Sequence, residues 1–328
     1  MSISQLPAGR RAILAAPLFL PALAGGASAQ AFPTRAITVV VPYAPGGGAD
    51  VITRAVGPMM ERELGQPIVV DNRAGAATSI AATYVAQARP DGYTLLMGAT
   101  PLAINPALQP NLTPKDPQRE LLPIGPLYRN PFVLHVHHSM PVRTLAEFIT
   151  YARANPGKIN YGSAGIGTVN HLAFALLAND ARIDVEHVPY RGGAPALMDL
   201  RANRVHIMFN SALEALPLLN EGVTRAIAIS SAQRLALLPA IPPMADTIPG
   251  FDVAFWQGLF APVGTPEPII ARLSAALRAG TSDSLLRARM VEQGVDLLSG
   301  GPADIARILA EETRTWSRVV REANIRAE

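Results

Sequence analysis

The chain has 328 residues, more than one hydrophobic core usually organises, so two domains are expected. With 49% hydrophobic and 16% charged residues it cannot be a disordered chain, and the absence of cysteine excludes disulfides, thiolate nucleophiles and cysteine-held metals. A formal charge of only +3, with no long Lys/Arg run and no aromatic-interleaved basic stripe, argues against a nucleic-acid partner.

The first residues read as an export signal. Arg10-Arg11 precede an apolar run from Ala12 to Ala24, and Ala27-Ser28-Ala29 supplies the small-x-small pattern at which such leaders are cut. The run is shorter than the roughly 20 residues of a spanning helix and carries Pro17 and Pro21, so a cleaved leader over residues 1–29 is expected rather than an anchor. Arg10-Arg11-Ala12-Ile13-Leu14 also fits a twin-arginine route. Loss of the two arginines leaves 26 basic against 25 acidic residues. No later stretch is long and apolar enough to span a bilayer, so a soluble periplasmic protein is expected.

Ile37 to Val41 is a β-branched run that stops at Pro42. Three glycines, Gly46, Gly47 and Gly48, free the backbone, and a helical pattern begins after Asp50, read as a capping residue. Strand, glycine loop and helix together aim unpaired N–H groups and the positive end of the helix dipole at a bound anion. The same unit recurs: a strand at Pro67–Asn72, a small-residue loop through Ala76, Ala77 and Thr78, then a helix from Ile80 to Ala88. Tyr93–Met97 follows as a buried strand, and strands alternating with helices imply a parallel sheet.

Pro101 to Pro126, rich in proline and asparagine, reads as an irregular surface connection. Pro131 to His137 reads as a strand, and Thr144-Leu145-Ala146-Glu147 as a capping box opening a helix. A third anion-suited loop, Gly162-Ser163-Ala164-Gly165-Ile166-Gly167-Thr168, stands between a strand and a helix that begins near His171. Val185–Tyr190, Val205–Asn210 and Arg225–Ile229 add strands. Val253 to Ala261 is extended and apolar, and Thr265-Pro266-Glu267 opens a helix with proline at its first position, followed by two more. The extended segments near Pro131 and Phe255 are the candidates for strands joining two α/β lobes, with the glycine loops of both lobes on one cleft.

The glycine loops carry no nucleotide signature. Gly46-Gly47-Gly48 continues to Ala49-Asp50 instead of Gly-Lys-Ser/Thr, and the Gly-x-Gly-x-x-Gly pattern fails as well. Ser163 lacks the glycine two residues earlier that a nucleophile elbow requires, so it reads as a hydrogen-bond donor. His135, His137 and His138 have no carboxylate or fourth histidine at a diagnostic spacing and read as ordinary surface or crossover histidines. No catalytic residue, metal site or cofactor is expected.

Six stretches together resemble one family: Pro42–Asp50, Gly65–Ala76, Pro90–Leu96, Tyr161–Thr168, Val188–Gly192 and Trp256–Pro266. In order and over nearly the whole mature chain, they are similar to the Bug family, the periplasmic solute-binding proteins of tripartite tricarboxylate transporters. The resemblance implies an α/β, two-lobed periplasmic-binding-protein fold of the Venus flytrap kind, type II-like, with two crossover strands. Residues 30–130 with 255–328 would form lobe 1 and residues 131–254 lobe 2. It implies capture of a small carboxylate, a di- or tricarboxylate, an acidic amino acid or a related organic acid, by backbone N–H groups and ordered water, delivery to the membrane subunits of the transporter, no catalysis and a monomer. An exported α/β enzyme acting on a carboxylate or phosphorylated substrate is the alternative.

Carried onto this chain, the resemblance places Tyr43, Ala44, Gly46, Gly47, Gly48 and Asp50 around one end of the ligand, beside Ala76, Ala77 and Thr78. Ser163, Gly167, Thr168 and His171 come from the other lobe, with Tyr190, Asn210 and Ser211 as specificity candidates. The chain departs from the family at Ala77-Thr78, where a second and third glycine are usual. A Cβ there narrows the approach of backbone to ligand, so Tyr43 to Gly48 are expected to carry more of the anchoring. A second departure is Pro242-Pro243-Met244-Ala245-Asp246, where the family usually has Thr after the proline and Glu at the acidic position.

Overall fold

A computed structural model describes residues 1–2, 32–43, 45–46, 48–190, 193–292 and 294–326. The expected leader beyond its first two residues, the expected site residues Ala44 and Gly47, and Arg191-Gly192 lie outside the described residues. The chain divides into Met1–Phe32 and a unit from Pro33 to Glu328, and all the described strands and helices belong to the second.

The β-branched run forms β1 (Ile37–Val41), and the glycine loop releases the chain into α1 (Gly48–Leu64). β2 (Ile68–Asn72), α2 (Ser79–Ala86) and β3 (Thr94–Ala99) follow, then α3 (Pro101–Leu108), α4 (Pro117–Glu120) and the long β4 (Leu121–His137). The next units are α5 (Leu145–Ala154), β5 (Asn160–Ser163), α6 (Val169–Ala181), β6 (Glu186–Pro189), α7 (Gly193–Arg201), β7 (Ile207–Ser211), α8 (Ala212–Asn220) and β8 (Thr224–Ile229). The chain closes with β9 (Ala254–Pro262), α9 (Glu267–Ser282), α10 (Ser284–Glu292), β10 (Asp296–Leu297) and α11 (Pro302–Glu322).

The strands run in the order β2-β1-β3-β9-β4-β7-β5-β6, with β8 and β10 also paired to β4. β1 lies parallel to β2 and β3, and β5 parallel to β6 and β7, as the strand–helix alternation predicts. Between these two parallel sets run the antiparallel strands β4 and β9. β4 pairs β9 from Leu121 to Pro131, then pairs β7 and β8 from Phe132 onward, so one strand serves both sets.

The proline-rich stretch is a correction. Pro101 and Pro117 each open a helix, where a missing N–H leaves no bond unmade, and Pro123 and Pro126 sit where the register of β4 against β9 shifts. The residues from Pro101 to Pro126 are therefore largely α3, α4 and the start of β4 rather than an irregular connection. Of the surface and crossover positions expected for the histidines, His135 and His137 take the crossover one: both are buried on β4, and His135 is fully enclosed. Pro266 sits at the N-cap of α9 rather than at its first helical position. The capping box at Thr144 is present, with the Glu147 N–H donating to Thr144 Oγ1 at 3.1 Å.

Trp256 of β9, Trp316 of α11, and Phe148, Phe174 and Phe209 are fully buried. α11 presents Ile305, Leu309, Trp316, Val319 and Val320 along one apolar face and packs on α3 and β4. Among the described residues no helix is long and apolar enough to cross a membrane. Phe174 stacks on Tyr161 with ring centroids 4.0 Å apart and meets Phe148 edge-on at 6.4 Å. Truncating Phe174 to alanine leaves a cavity between α5, α6 and β5, and is expected to lower unfolding free energy by about 3–5 kcal/mol in urea denaturation.

Candidate functional site

Two cavities adjoin on the crossover strands. The first, of about 650 Å³, is lined among others by Tyr43, Gly75, Ala77, Thr78, Asn105, Gly167, Thr168, Asn170 and Asn210. The second, of about 570 Å³, includes Tyr43, Gly46, Gly48, Tyr128, Asn130 and Ser211. They share four residues: Tyr43, Phe132, Glu214 and Phe255.

The loop between β5 and α6 is braced largely by its own groups. The Gly165 N–H donates to Ser163 Oγ at 3.1 Å, Thr168 Oγ1 donates to the Gly165 carbonyl at 2.6 Å, and the Gly167 N–H donates to His171 Nδ1 at 3.0 Å. Gly167 holds φ +78°, which favours glycine, and a Cβ there would press on the end of the Leu108 side chain. Ser163 Oγ lies 2.7 Å from His187 Nε2, and the His187 ring stacks on His171 at 3.9 Å. Burial holds His187 down to about 4; burial and then the neighbouring His187 hold His171 down to about 3. Both rings are thus neutral at pH 7, which lets His171 Nδ1 accept the Gly167 N–H. Because the Thr168 hydroxyl is turned to Gly165, α6 begins with no side-chain cap, and its first N–H groups face the cavity.

Opposite stands the loop before α2. Ala76, Ala77 and Thr78 all adopt positive φ, at 44°, 47° and 75°. At Ala77 and Thr78 the family resemblance expects glycine, and the backbone takes the glycine conformation regardless. The Thr78 N–H closes back on the Gly75 carbonyl at 3.0 Å, and Asn105 Nδ2 donates to the Ala77 carbonyl at 2.9 Å. Thr78 Oγ1 is buried and has no hydrogen-bond partner among the described residues.

At α1 the hydrogen bonds differ from expectation. The helix begins at Gly48, and Asp50, within its first turn, turns its carboxylate back to accept the Gly46 N–H at 2.9 Å, Arg54 Nε at 2.9 Å and Asn72 Nδ2 at 3.0 Å. The hydrogen bond from Arg54 is the largest reason that its carboxyl is held down to about 2. α1 therefore supplies its own counter-charge, and the Gly46 N–H is not offered to a ligand. Of the anchoring expected from Tyr43 to Gly48, the share of the Gly46 N–H is therefore already taken by Asp50.

The wall between the cavities is aromatic. Tyr43 and Tyr128 each lie 6.2 Å from Phe255, and Phe132 meets Phe209 edge-on at 6.4 Å. Burial raises both tyrosine hydroxyls far above their ordinary range, so they stay protonated. Behind the wall, the Thr224 hydroxyl, His135, Asn210 and Glu214 form a chain of 3.0, 3.0 and 3.4 Å. The Asn210 amide nitrogen can only donate and Glu214 can only accept, so Asn210 Oδ1 takes the proton of His135 Nε2, and His135 Nδ1 accepts from Thr224. Burial keeps His135 neutral, down to about 4, against the opposing pull of Asn210 and Glu214.

The expected residues therefore divide. Tyr43, Ala77, Thr78, Gly167, Thr168 and Asn210 line the first cavity, and Tyr43, Gly46, Gly48 and Ser211 the second. Asp50, Ala76, Ser163, His171 and Tyr190 line neither. Asp50, Ser163 and His171 brace loops, the Ala76 carbonyl accepts the Ser79 N–H, and the Tyr190 hydroxyl donates to Asp199 Oδ2 at 2.7 Å. Sequence reasoning missed Asn105, Asn170, Phe132, Phe255 and Glu214. Glu214 had a readable signal, the Ser-x-x-Glu spacing from Ser211 that makes a capping box. Asn105 was hidden in the stretch taken for a loop. No cluster of metal-ligating side chains occurs among the described residues.

A sheet served by two antiparallel strands, with helix N-termini around a cleft on those strands, is the architecture of a periplasmic solute-binding protein. The chain belongs to the tripartite tricarboxylate transporter receptor family, whose model matches residues 52–325. It is 36% identical over 97% of its length to a UPF0065 protein in the tcbD–tcbE intergenic region of Pseudomonas sp. strain P51, covering 96% of that protein. Among solved structures it is similar to MatC of Rhodopseudomonas palustris with bound malate, at TM-score 0.72 and 36% identity, covering 88% of this chain and all of that one. It is also similar to the periplasmic binding protein BugD, at TM-score 0.73 and 30% identity over 90% of this chain and all of that one.

The neutral histidines and the left-handed loop each have a measurable consequence. His135 and His171 bind a proton in the unfolded chain below pH 6.5 but not in the native one, so each removes up to about 1.4 kcal/mol of stability per pH unit as pH falls from 6.5 towards 4. Melting temperature is expected to fall across that window, and less steeply in His171→Gln. Replacing Ala77 by glycine relieves a left-handed conformation and is expected to raise stability by about 0.5–1 kcal/mol, read from its denaturant midpoint.

Proposed function

We propose that this chain captures a small carboxylate in the periplasm, in the first of these cavities, and delivers it to the membrane subunits of a tripartite transporter. The observation that carries this reading is the pairing of an uncapped helix N-terminus with an unpartnered buried hydroxyl. Thr168, Val169 and Asn170 at the start of α6 and Thr78 Oγ1 line one cavity; the Val169 and Asn170 N–H groups and the Thr78 hydroxyl lack a partner among the described residues that a carboxylate oxygen would supply, while the His171 N–H is already taken by Asn170 Oδ1 at 3.2 Å. Malate in MatC, a dicarboxylate in a similar fold, supports the ligand class.

The carboxylate is held by the α6 N–H groups, the Thr78 hydroxyl and the amides of Asn105 and Asn170, with Tyr43 and Phe255 excluding water behind it. Residues 30–130 with 255–328 and residues 131–254 act as two lobes hinged at the crossover strands, a division supported by the change of β4 partners between Pro131 and Phe132. The segment through Ala29 is removed on export, and the mature protein works as a monomer without catalysis. Of the Ser163–His187 pair that an enzyme would recruit, Ser163 is buried and His187 half-buried, and neither lines either cavity.

A thermal-shift screen of mono-, di- and tricarboxylates and acidic amino acids tests the reading. A ligand at a hundred times its dissociation constant is expected to stabilise by about 2.7 kcal/mol. Thr78→Val keeps the shape and removes the hydroxyl, and is expected to weaken the ligand about tenfold while the unliganded melting temperature holds or rises. A folded protein that is shifted only by neutral ligands overturns the proposal.

A further inference from the structure

We propose that Glu214 makes this cleft selective for a ligand with a carboxylate at one end and a protonated amine at the other. A zwitterion of amino-acid type is then preferred over a di- or tricarboxylate. The inference rests on the reading of the cleft as a carboxylate site and narrows it.

The four residues shared by the two cavities are three aromatic rings, Tyr43, Phe132 and Phe255, and one carboxylate, Glu214. Ring faces and a carboxylate together form the chemistry that holds an alkylammonium, through the ring quadrupole and through direct charge pairing. Among the described residues lining either cavity there is no Lys, Arg or His to offset Glu214.

Glu214 is also held in place. Its Oε2 accepts the Ser211 N–H at 3.2 Å and the Ser211 hydroxyl at 2.9 Å in the capping box of α8, and takes the Asn210 amide at 3.4 Å. Oε1 has no hydrogen-bond partner among the described residues, and lies 3.0 Å from where a Cβ on Gly193 would stand. That position is open to Oε1 because residue 193 is glycine. Asn210 is a positioning residue here: its amide nitrogen faces Glu214 while its oxygen meets His135 Nε2.

The two poles are distinct. The α6 N-terminus and Thr78 line the first cavity only, whereas Glu214 stands where the two meet. Glu214 is exposed to the cleft, so a second ligand carboxylate next to it would meet a like charge, and an ammonium would meet an opposite one.

The test is calorimetry of the purified protein with matched pairs: succinate and 3-aminopropanoate, glutarate and 4-aminobutanoate, adipate and 5-aminopentanoate. Each pair differs by one carboxylate replaced with an ammonium group. For at least one length the amino acid is expected to bind at least tenfold more tightly. Glu214→Gln keeps a side chain that completes the capping box, so it is expected to fold with unchanged circular dichroism and to abolish or reverse that ratio. A dicarboxylate that equals or beats its amino partner at every length overturns the proposal, as does an unchanged ratio in Glu214→Gln, and in both cases the carboxylate reading survives. Failure of both series, together with mono- and tricarboxylates, overturns the carboxylate reading and this proposal with it.

Discussion

The proposed binding face depends on a loop that is braced largely from within. Between β5 and α6, the Gly165 and Gly167 N–H groups and the Thr168 hydroxyl are bonded within the segment Ser163–His171. Once these groups are occupied, the N–H groups that remain without a partner among the described residues are those of Ala164 and Ile166 in the loop and of Val169 and Asn170 at the start of α6. The neutral state of His171 is part of this: a protonated ring has no lone pair at Nδ1 and cannot accept from Gly167. Burial and the stacked neighbour His187 maintain that neutrality, so the packing of a histidine pair behind the loop decides what the front of the loop presents.

Three helix N-termini near the cleft have different counter-charges. α1 carries Asp50, α8 carries Glu214, and α6 has no side-chain cap. One such end contributes about 0.3–1 kcal/mol to an anion, and about 2 kcal/mol when partly buried, while hydrogen bonds to a charged group add about 1.5–3 kcal/mol each. A few of these, net of desolvation, reach the roughly 8 kcal/mol of a micromolar complex without an arginine. The same magnitudes explain why glycine loops alone do not locate an anion site, since a nearby carboxylate of the protein can already fill it.

The crossover strands do more than connect the two parallel sets. β4 contributes Tyr128, Asn130 and Phe132 and β9 contributes Phe255 to the cavities, so the aromatic wall is built on the strands that run between the sets. The switch of β4 from β9 to β7 and β8 falls at Pro131-Phe132, beside that wall. Any movement about these strands is therefore coupled to the shape of the site.

The sequence by itself determined the strand–loop–helix units, the parallel pairing of β1 with β2 and β3, the crossover positions near Pro131 and Phe255, and the loops that surround the cleft. Those are local matters of periodicity, glycine placement and proline. It did not determine which loop groups stay open. Asp50 looks like a cap from its spacing, but only the fold brings Arg54, Asn72 and the Gly46 N–H onto its carboxylate and closes that end. Ala77 and Thr78 look incompatible with a glycine conformation, yet tertiary packing holds them there, with Asn105 gripping the Ala77 carbonyl. Glu214 was readable as a helix cap, but its place in both cavities, beside Tyr43, Phe132 and Phe255, depends on residues far apart in the chain being brought to one wall, which only the assembled sheet does.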